Sequence, residues 1–326
     1  MRTLFVVSGG DAPGINAALG QYVSLAARHG NVVLGANGGF PGLLEGNISP
    51  LSFDRIVPWL GRGGSVLPSS RDPVLTQNDA RVRLKQVLEQ HQVDNVVLFG
   101  GNGTLRYIPP ILSEWDIPCI GLPTTIDNDV PGTERTLGFD SACNFAYHAI
   151  DGALTTAHAL RGRIFMVETL GGTCGNLALA VAHGAGAHAV ILPEYEYEDH
   201  WLGRRLAEAV KQDGFALLVI CEGARGARTL ADEIPKLTSI RVRDVRLGHA
   251  QRGGDASHID RVLASEMARS AYNALRAKLQ TGIIVVRQGK VQVHEGNLQS
   301  FTMTPPDRTL YHIINGLEES GEHSGD

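Results

Sequence analysis

Pro123 to Asp129, Pro-Thr-Thr-Ile-Asp-Asn-Asp, sets two carboxylates two residues apart beside the hydroxyl of Thr125. In such a pair, one carboxylate can take a proton from a substrate hydroxyl while the other orients a metal or a sugar. An apolar, strand-like segment (119–122) leads into the motif. The carboxylates are therefore expected where a strand gives way to a loop, the edge at which open α/β sheets bind ligands. The plainer alternative is an Asp/Asn-rich turn held by side-chain to backbone bonds.

The motif has company. Of 39 glycines, many stand in pairs, at Gly9-Gly10, Gly100-Gly101, Gly171-Gly172 and Gly253-Gly254. Glycine is used where backbone must approach a ligand closely or adopt positive φ. A glycine turn that opens a helix offers free N–H groups at the positive helix end, which suits phosphate. Two such turns in the N-terminal half, at Gly9-Gly10 and Gly100–Thr104, suggest a polyphosphate ligand. Neither G-x-x-x-x-G-K-[ST] nor G-x-G-x-x-G occurs, and a tight strand-to-helix connection is the alternative for each turn.

These turns sit in a repeating grammar. A strand over 2–8 leads through the first glycine turn into a helix over 15–28, and strands at 95–99, 163–169 and 215–221 lead into similar turns. Strands alternating with helices imply parallel sheets covered on both faces. Long helices are expected over 139–160, as a bridge between two α/β halves, and over 257–279, whose Met and Tyr residues read as core. A hairpin is expected at 283–286 and 291–293, and a polar, disordered tail from 317.

Composition bounds the possibilities. At 326 residues, two domains are expected, and 43% hydrophobic residues give each a sizeable core. Mean hydropathy is -0.04. A net charge of -5 shows no broad basic surface, which argues against nucleic acid or an anionic membrane as partner. The four cysteines lack C-x-x-C spacing and read as buried, reduced thiols of a cytosolic protein. No apolar run of membrane-spanning length and no signal peptide is evident, so a cytoplasmic, soluble protein is expected.

Five segments occur in the order found in 6-phosphofructokinases: Gly-Gly-Asp-Ala-Pro-Gly-Ile-Asn-Ala-Ala (9–18), Gly-Gly-Asn-Gly-Thr (100–104), Thr-Ile-Asp-Asn-Asp (125–129), Val-Glu-Thr-Leu-Gly-Gly (167–172) and Leu-Gly-His-Ala-Gln-Arg-Gly-Gly (247–254). The chain resembles a bacterial-length member of that family over about residues 1 to 300. The resemblance implies an α/β fold of two Rossmann-like, doubly wound domains with mainly parallel sheets. Residues 1–138 with 252–303 would form the phosphoryl-donor domain, and 139–251 with 304–316 the sugar-phosphate domain. It implies transfer from ATP, with Mg2+, to the 1-hydroxyl of fructose 6-phosphate. Asp127 would be the general base, with Thr125 and Asp129 shaping the acceptor end and Arg71 bridging the phosphates. Gly10, Arg71, Asp72, Gly101, Asn102, Gly103 and Thr104 would hold the donor. Arg163, Leu170, Gly171, Glu222, Arg243, His249 and Arg252 would bind the sugar phosphate with Thr125 and Asp127. Family members reach into a neighbouring subunit with the residues matching Arg163 and Arg243, which implies a homotetramer or homodimer.

Some positions depart from the family pattern. Asn102 stands where an Asp approaches magnesium, and an amide lacks the charge a hard cation prefers. Gly172 replaces an Arg near the transferred phosphoryl, and Tyr107 a small residue beside the nucleotide. Pyrophosphate-dependent relatives carry Asp and Lys where this chain has Gly103 and Thr124, so ATP is the expected donor. Gly20, Ser24 and His188 stand where the family's effector site places charged groups. Alternatives are a pyrophosphate-dependent enzyme, a kinase of a related sugar phosphate, and a catalytically weak regulatory paralogue.

Overall fold

A computed structural model describes residues 1–71 and 73–317. Asp72 and the tail expected beyond Leu317 lie outside the described residues. The strands are β1 (Arg2–Val7), β2 (Val32–Ala36), β3 (Ile48–Pro50), β4 (Asn95–Gly100), β5 (Cys119–Pro123), β6 (Arg163–Thr169), β7 (Ala189–Ile191), β8 (Phe215–Cys221), β9 (Val242–Arg246), β10 (Thr281–Arg287) and β11 (Lys290–Glu295). The helices are α1 (Ile15–Arg28), α2 (Gly39–Leu44), α3 (Phe53–Ile56), α4 (Asn78–Gln90), α5 (Asn102–Ser113), α6 (Phe139–Ala159), α7 (Asn176–Ala185), α8 (Asp199–Asp213), α9 (Leu230–Thr238), α10 (His258–Arg276) and α11 (Arg308–Asn315).

Contacts divide the chain into two units. The first holds Met1–Ser141 and Arg252–Met303, the second Ala142–Gln251 and the residues from Thr304 onward. The first crossing falls within the opening turn of α6.

In the first unit the strands run in the order β11-β10-β5-β4-β1-β2-β3. The core pairs (β2/β1, β1/β4, β4/β5, β5/β10) are parallel, and the two edges, β2/β3 and β10/β11, are antiparallel. β4 is buried at every position because helices cover both faces. Alternation in β1 shows how: Phe5 and Val7 pack with Ile15, Leu19, Tyr22, Met267 and Tyr272 on one face. Leu4 and Val6 pack with Leu84, Leu88, Leu105 and Ile108 on the other. The apolar positions of α1 (Ile15, Ala18, Leu19, Tyr22, Val23, Ala26) recur at helical spacing, which is why one stripe of it is buried. The chain leaves β1 toward β2 on one side, while β4 pairs on the other. That reversal of direction puts a crevice outside the carboxyl ends of β1 and β4.

The second unit has an all-parallel sheet, β7-β8-β6-β9. Ile164, Met166, Leu218 and Ile220 bury against Leu202, Leu206 and Ile234 of α8 and α9. β9 reads Val-Arg-Asp-Val-Arg and carries its charges out at the sheet edge. All four cysteines are buried and free. Among the described residues no helix is long and apolar enough to cross a membrane.

Candidate active site

In the first unit, the turns after β1 and β4 meet at the switch point. Gly9 N–H donates to Ser70 O (2.9 Å) and Ser69 Oγ to Gly9 O (2.9 Å), so the segment leading to Arg71 is bound to the first glycine turn. Thr104 Oγ1 donates to Ser8 O (3.2 Å), which draws the start of α5 to the end of β1. α5 begins at Gly101 without a side-chain cap, and its first N–H groups have no partner within the helix. At Gly10 a Cβ would lie 2.6 Å from Nη1 of Arg252 and 2.9 Å from Nη2 of Arg71. Two guanidinium groups thus converge on one bare α-carbon. Like charges gathered this way favour a polyanion between them.

The acidic loop leaves the carboxyl end of β5 in the same unit. Thr125 is buried, and its hydroxyl accepts the N–H of Asp127 (3.1 Å), while Thr136 Oγ1 donates to Thr125 O (2.6 Å). Asn128 adopts φ 51°, a left-handed conformation that Asn tolerates, and its Oδ1 accepts from Thr136 N–H (2.8 Å). These bonds fix the carboxylates on either side of Asn128. Asp127 Oδ2 lies 4.0 Å from Nη2 of Arg252. Sequence reasoning missed Asn128 and Thr136 as supports; an Asn between two acids is the signal that was available.

Asp129 Oδ1 is buried without a hydrogen-bond partner. Burial, and next the charge of Asp127, push its carboxyl up to about 6, against the pull of its own backbone N–H and of Arg252. The folded protein therefore keeps this proton at pH values where the unfolded chain, titrating near 3.9, has lost it. The stability it contributes is complete below about pH 4 and is lost as the pH rises through about 6. Asp129→Asn should raise unfolding stability at pH 7.5 by on the order of 1–2 kcal/mol and leave it unchanged at pH 4. Urea titrations at both pH values check this; an equal gain at both would contradict it.

Asn102 is not poised for a metal. Its Oδ1 accepts from Arg106 Nε at 2.7 Å, and the Arg106 amino end binds Phe301 O at 2.8 Å. Among the described residues no group of three His, Cys, Asp or Glu side chains could hold a metal ion. The free Oδ1 of Asp129 is a single oxygen suited to a cation, not a cage.

In the second unit, Leu170, Gly171 and Glu222 come together at the carboxyl ends of β6 and β8. Glu222 Oε1 accepts the N–H groups of Gly171 (3.3 Å) and Gly172 (3.0 Å). Gly171 has φ 144°, and a Cβ there would meet Cys174 O at 2.4 Å, so the turn requires glycine. Leu170 N–H donates to buried Gln251 (2.9 Å), whose amide binds Ala142 O (3.3 Å). Gln251 is a support that sequence reasoning passed over. His249 is exposed in the short helical turn 248–252. Arg163 and Arg243 are elsewhere. Arg163 opens β6, seven residues before Leu170, and Arg243 pairs with Phe165 near the same end. At about 3.3 Å per strand residue, roughly 20 Å separates them from the Gly171 turn.

Of the three positions compared above with the family's effector site, two are committed to structure. Gly20 is packed against Leu60, while His188 accepts Leu217 N–H at Nδ1 (2.9 Å) and bonds Asp213 through Nε2 (3.2 Å).

Comparison with known proteins gives a consistent result. A family profile described as phosphofructokinase matches residues 2–275. An ATP-dependent 6-phosphofructokinase from Clostridium acetobutylicum is 34% identical over 321 residues, covering 98% of this chain and all of the relative. Another, from Lactobacillus acidophilus, is 36% identical over 300 residues, 90% of this chain and 92% of the relative. Among solved structures, Pichia pastoris phosphofructokinase in the T-state superposes with TM-score 0.82 at 25% identity. That match covers 90% of this chain, which spans only 34% of the Pichia chain. A pyrophosphate-dependent phosphofructokinase from Marinobacter aquaeolei gives TM-score 0.81 at 23% identity, over 92% of this chain and 83% of that one, and shows the fold alone.

Proposed function

The chain belongs to the phosphofructokinase family, and we propose that it transfers the terminal phosphoryl group of ATP to the 1-hydroxyl of fructose 6-phosphate. The observation that carries this reading is the convergence of Arg71 and Arg252 on Gly10, with the Asp127 carboxylate 4.0 Å from Arg252. Phosphoryl transfer needs positioning and charge neutralisation more than covalent help. Two guanidiniums and the free N–H groups of Gly103 and Thr104 supply both for the donor. Asp127 takes the proton of the attacking hydroxyl. Thr125, Asn128 and Thr136 hold that carboxylate in place, and Asp129 is the second acid of the loop. Arg252, assigned by resemblance to the sugar, also serves the phosphate being transferred.

Magnesium, when bound with the nucleotide, neutralises charge on the donor phosphates. Asp129 would be its protein ligand, and Asn102, engaged with Arg106, would not.

On the sugar side, the turn at Gly171 and the second oxygen of Glu222 would receive hydroxyls, and His249 is assigned to the sugar by resemblance. Arg163 and Arg243 sit at the far strand ends, which supports their serving the site of a neighbouring copy in a homo-oligomer. Arg243 is exposed and its contact is with a phosphate that does not react. Arg243→Ala should therefore raise KM for the sugar phosphate about tenfold or more while kcat falls far less, as uniform binding requires. An unchanged KM would remove Arg243 from the site.

ATP is favoured as donor because Gly103 has open space at its α-carbon, where a side chain would crowd a nucleotide. A glycolytic kinase of this kind works in the cytoplasm. The test is a panel of kcat/KM values with ATP and pyrophosphate as donors and fructose, tagatose and sedoheptulose phosphates as acceptors. ATP with fructose 6-phosphate should lead; a pyrophosphate preference would overturn the donor, and no turnover with any pair would favour a regulatory paralogue.

A further inference from the structure

The cavity at the first glycine turn holds about 360 Å³. Arg71, Gly103 and Thr104 line it together with Tyr107 and the apolar Phe40, Leu75 and Ile108. Tyr107 is the residue that departs from the family's small one, and its ring borders the cavity while remaining 38% exposed.

Both hydrogen-bonding roles of its hydroxyl are used. Tyr107 Oη donates to Leu75 O (2.9 Å) and accepts from Arg81 Nη2 (2.7 Å). Arg81 Nε donates to the same Leu75 carbonyl (2.9 Å), and its guanidinium lies 5.6 Å from the ring centroid. The latch joins α4, α5 and the turn that follows Arg71. A ring so anchored cannot swing into the cavity without giving up a charge-assisted bond and a carbonyl bond. Hence Tyr107 is a wall of this cavity and not a plug in it.

We propose that latched Tyr107 is a donor-specificity residue: its ring is a fixed stacking platform for a nucleobase, favouring a nucleoside triphosphate over a bare polyphosphate. This rests on the ATP-dependent reading above. A base set against a rigid aromatic face gains stacking energy without an ordering cost, because the latch has already immobilised the ring. The apolar surroundings of Phe40, Leu75 and Ile108 add contact area that a bare polyphosphate cannot use.

Isothermal titration of the protein with ATP and, separately, with tripolyphosphate tests this without requiring turnover. Tyr107→Gly should weaken ATP binding roughly tenfold or more, within the range of base–aromatic stacking, and leave tripolyphosphate within about twofold. Tyr107→Phe keeps the ring and breaks the latch, so its loss of ATP affinity should be smaller than that of Tyr107→Gly. Tighter ATP binding by Tyr107→Gly would show an obstruction and overturn the proposal. Equal losses for ATP and tripolyphosphate would overturn it too, since the ring would then merely support the Arg71 loop. Wild-type protein that binds ATP with this selectivity but phosphorylates no sugar would uphold the platform and defeat the kinase reading alone.

Discussion

Asp127→Asn should lower kcat for fructose 6-phosphate phosphorylation by roughly 10²–10⁴-fold, the usual contribution of a positioned general base. The amide keeps the shape of the side chain but cannot accept the hydroxyl proton during transfer. Binding should largely survive, because most of the residues proposed to hold the sugar phosphate are left intact. Its Kd, measured by titration, should move little while the rate collapses. The loop itself should stay in place: Thr125 binds the backbone of residue 127, and Asn128 binds Thr136. A variant that kept most of its kcat would remove Asp127 from the chemistry.

A stability effect of comparable weight is expected at Asp260. It is 1% exposed in the first turn of α10, and its carboxylate accepts from Gly138 N–H (3.0 Å), Ser141 N–H (2.8 Å) and Ser141 Oγ (2.5 Å). Burial pushes its carboxyl up, and the bonds from Ser141 and Gly138 pull it back down. Asp260→Ala leaves two buried N–H groups and a hydroxyl without an acceptor. Each such group costs about 1–3 kcal/mol, so a loss near 4 kcal/mol is expected. Asp260→Asn, which retains one acceptor oxygen, should lose less. Since Gly138 and Ser141 end the segment that begins with the acidic loop, kcat should fall with stability. Urea unfolding of the three proteins decides it: a loss below about 1 kcal/mol for Asp260→Ala would show that water replaces the carboxylate.

What the sequence disclosed follows from how local each signal is. The turns after β1 and β4, helix α1 and the hairpin β10–β11 were legible because spacing and glycine specify them within a few residues. β9 was not, since Val-Arg-Asp-Val-Arg reads as polar and is a strand only through its parallel pairing with β6. The antiparallel edge β3 is three residues long and carries no pattern to detect. At the site, the residue types were readable and their supports were not. Asp260 lay within a helix read as core, and its partners are over a hundred residues away. The Asn102–Arg106 bond was available as an i, i+4 pair on a helix. The orientation of Tyr107 depended on the Leu75 carbonyl and Arg81, a tertiary matter that no local rule decides. The separation of Arg163 from Leu170, by contrast, was implicit in the length of a strand.

The most direct test of phosphoryl transfer with Asp127 as base is the fate of the phosphorus atoms, followed by 31P NMR on purified protein with ATP, magnesium and fructose 6-phosphate. The γ-phosphate resonance should disappear as a second sugar monoester grows at the 1-position, at the same rate as ADP. The Asp127→Asn protein should leave both substrates unchanged over the same interval. Release of inorganic phosphate without a sugar ester, or an ester formed equally fast by Asp127→Asn, would contradict it.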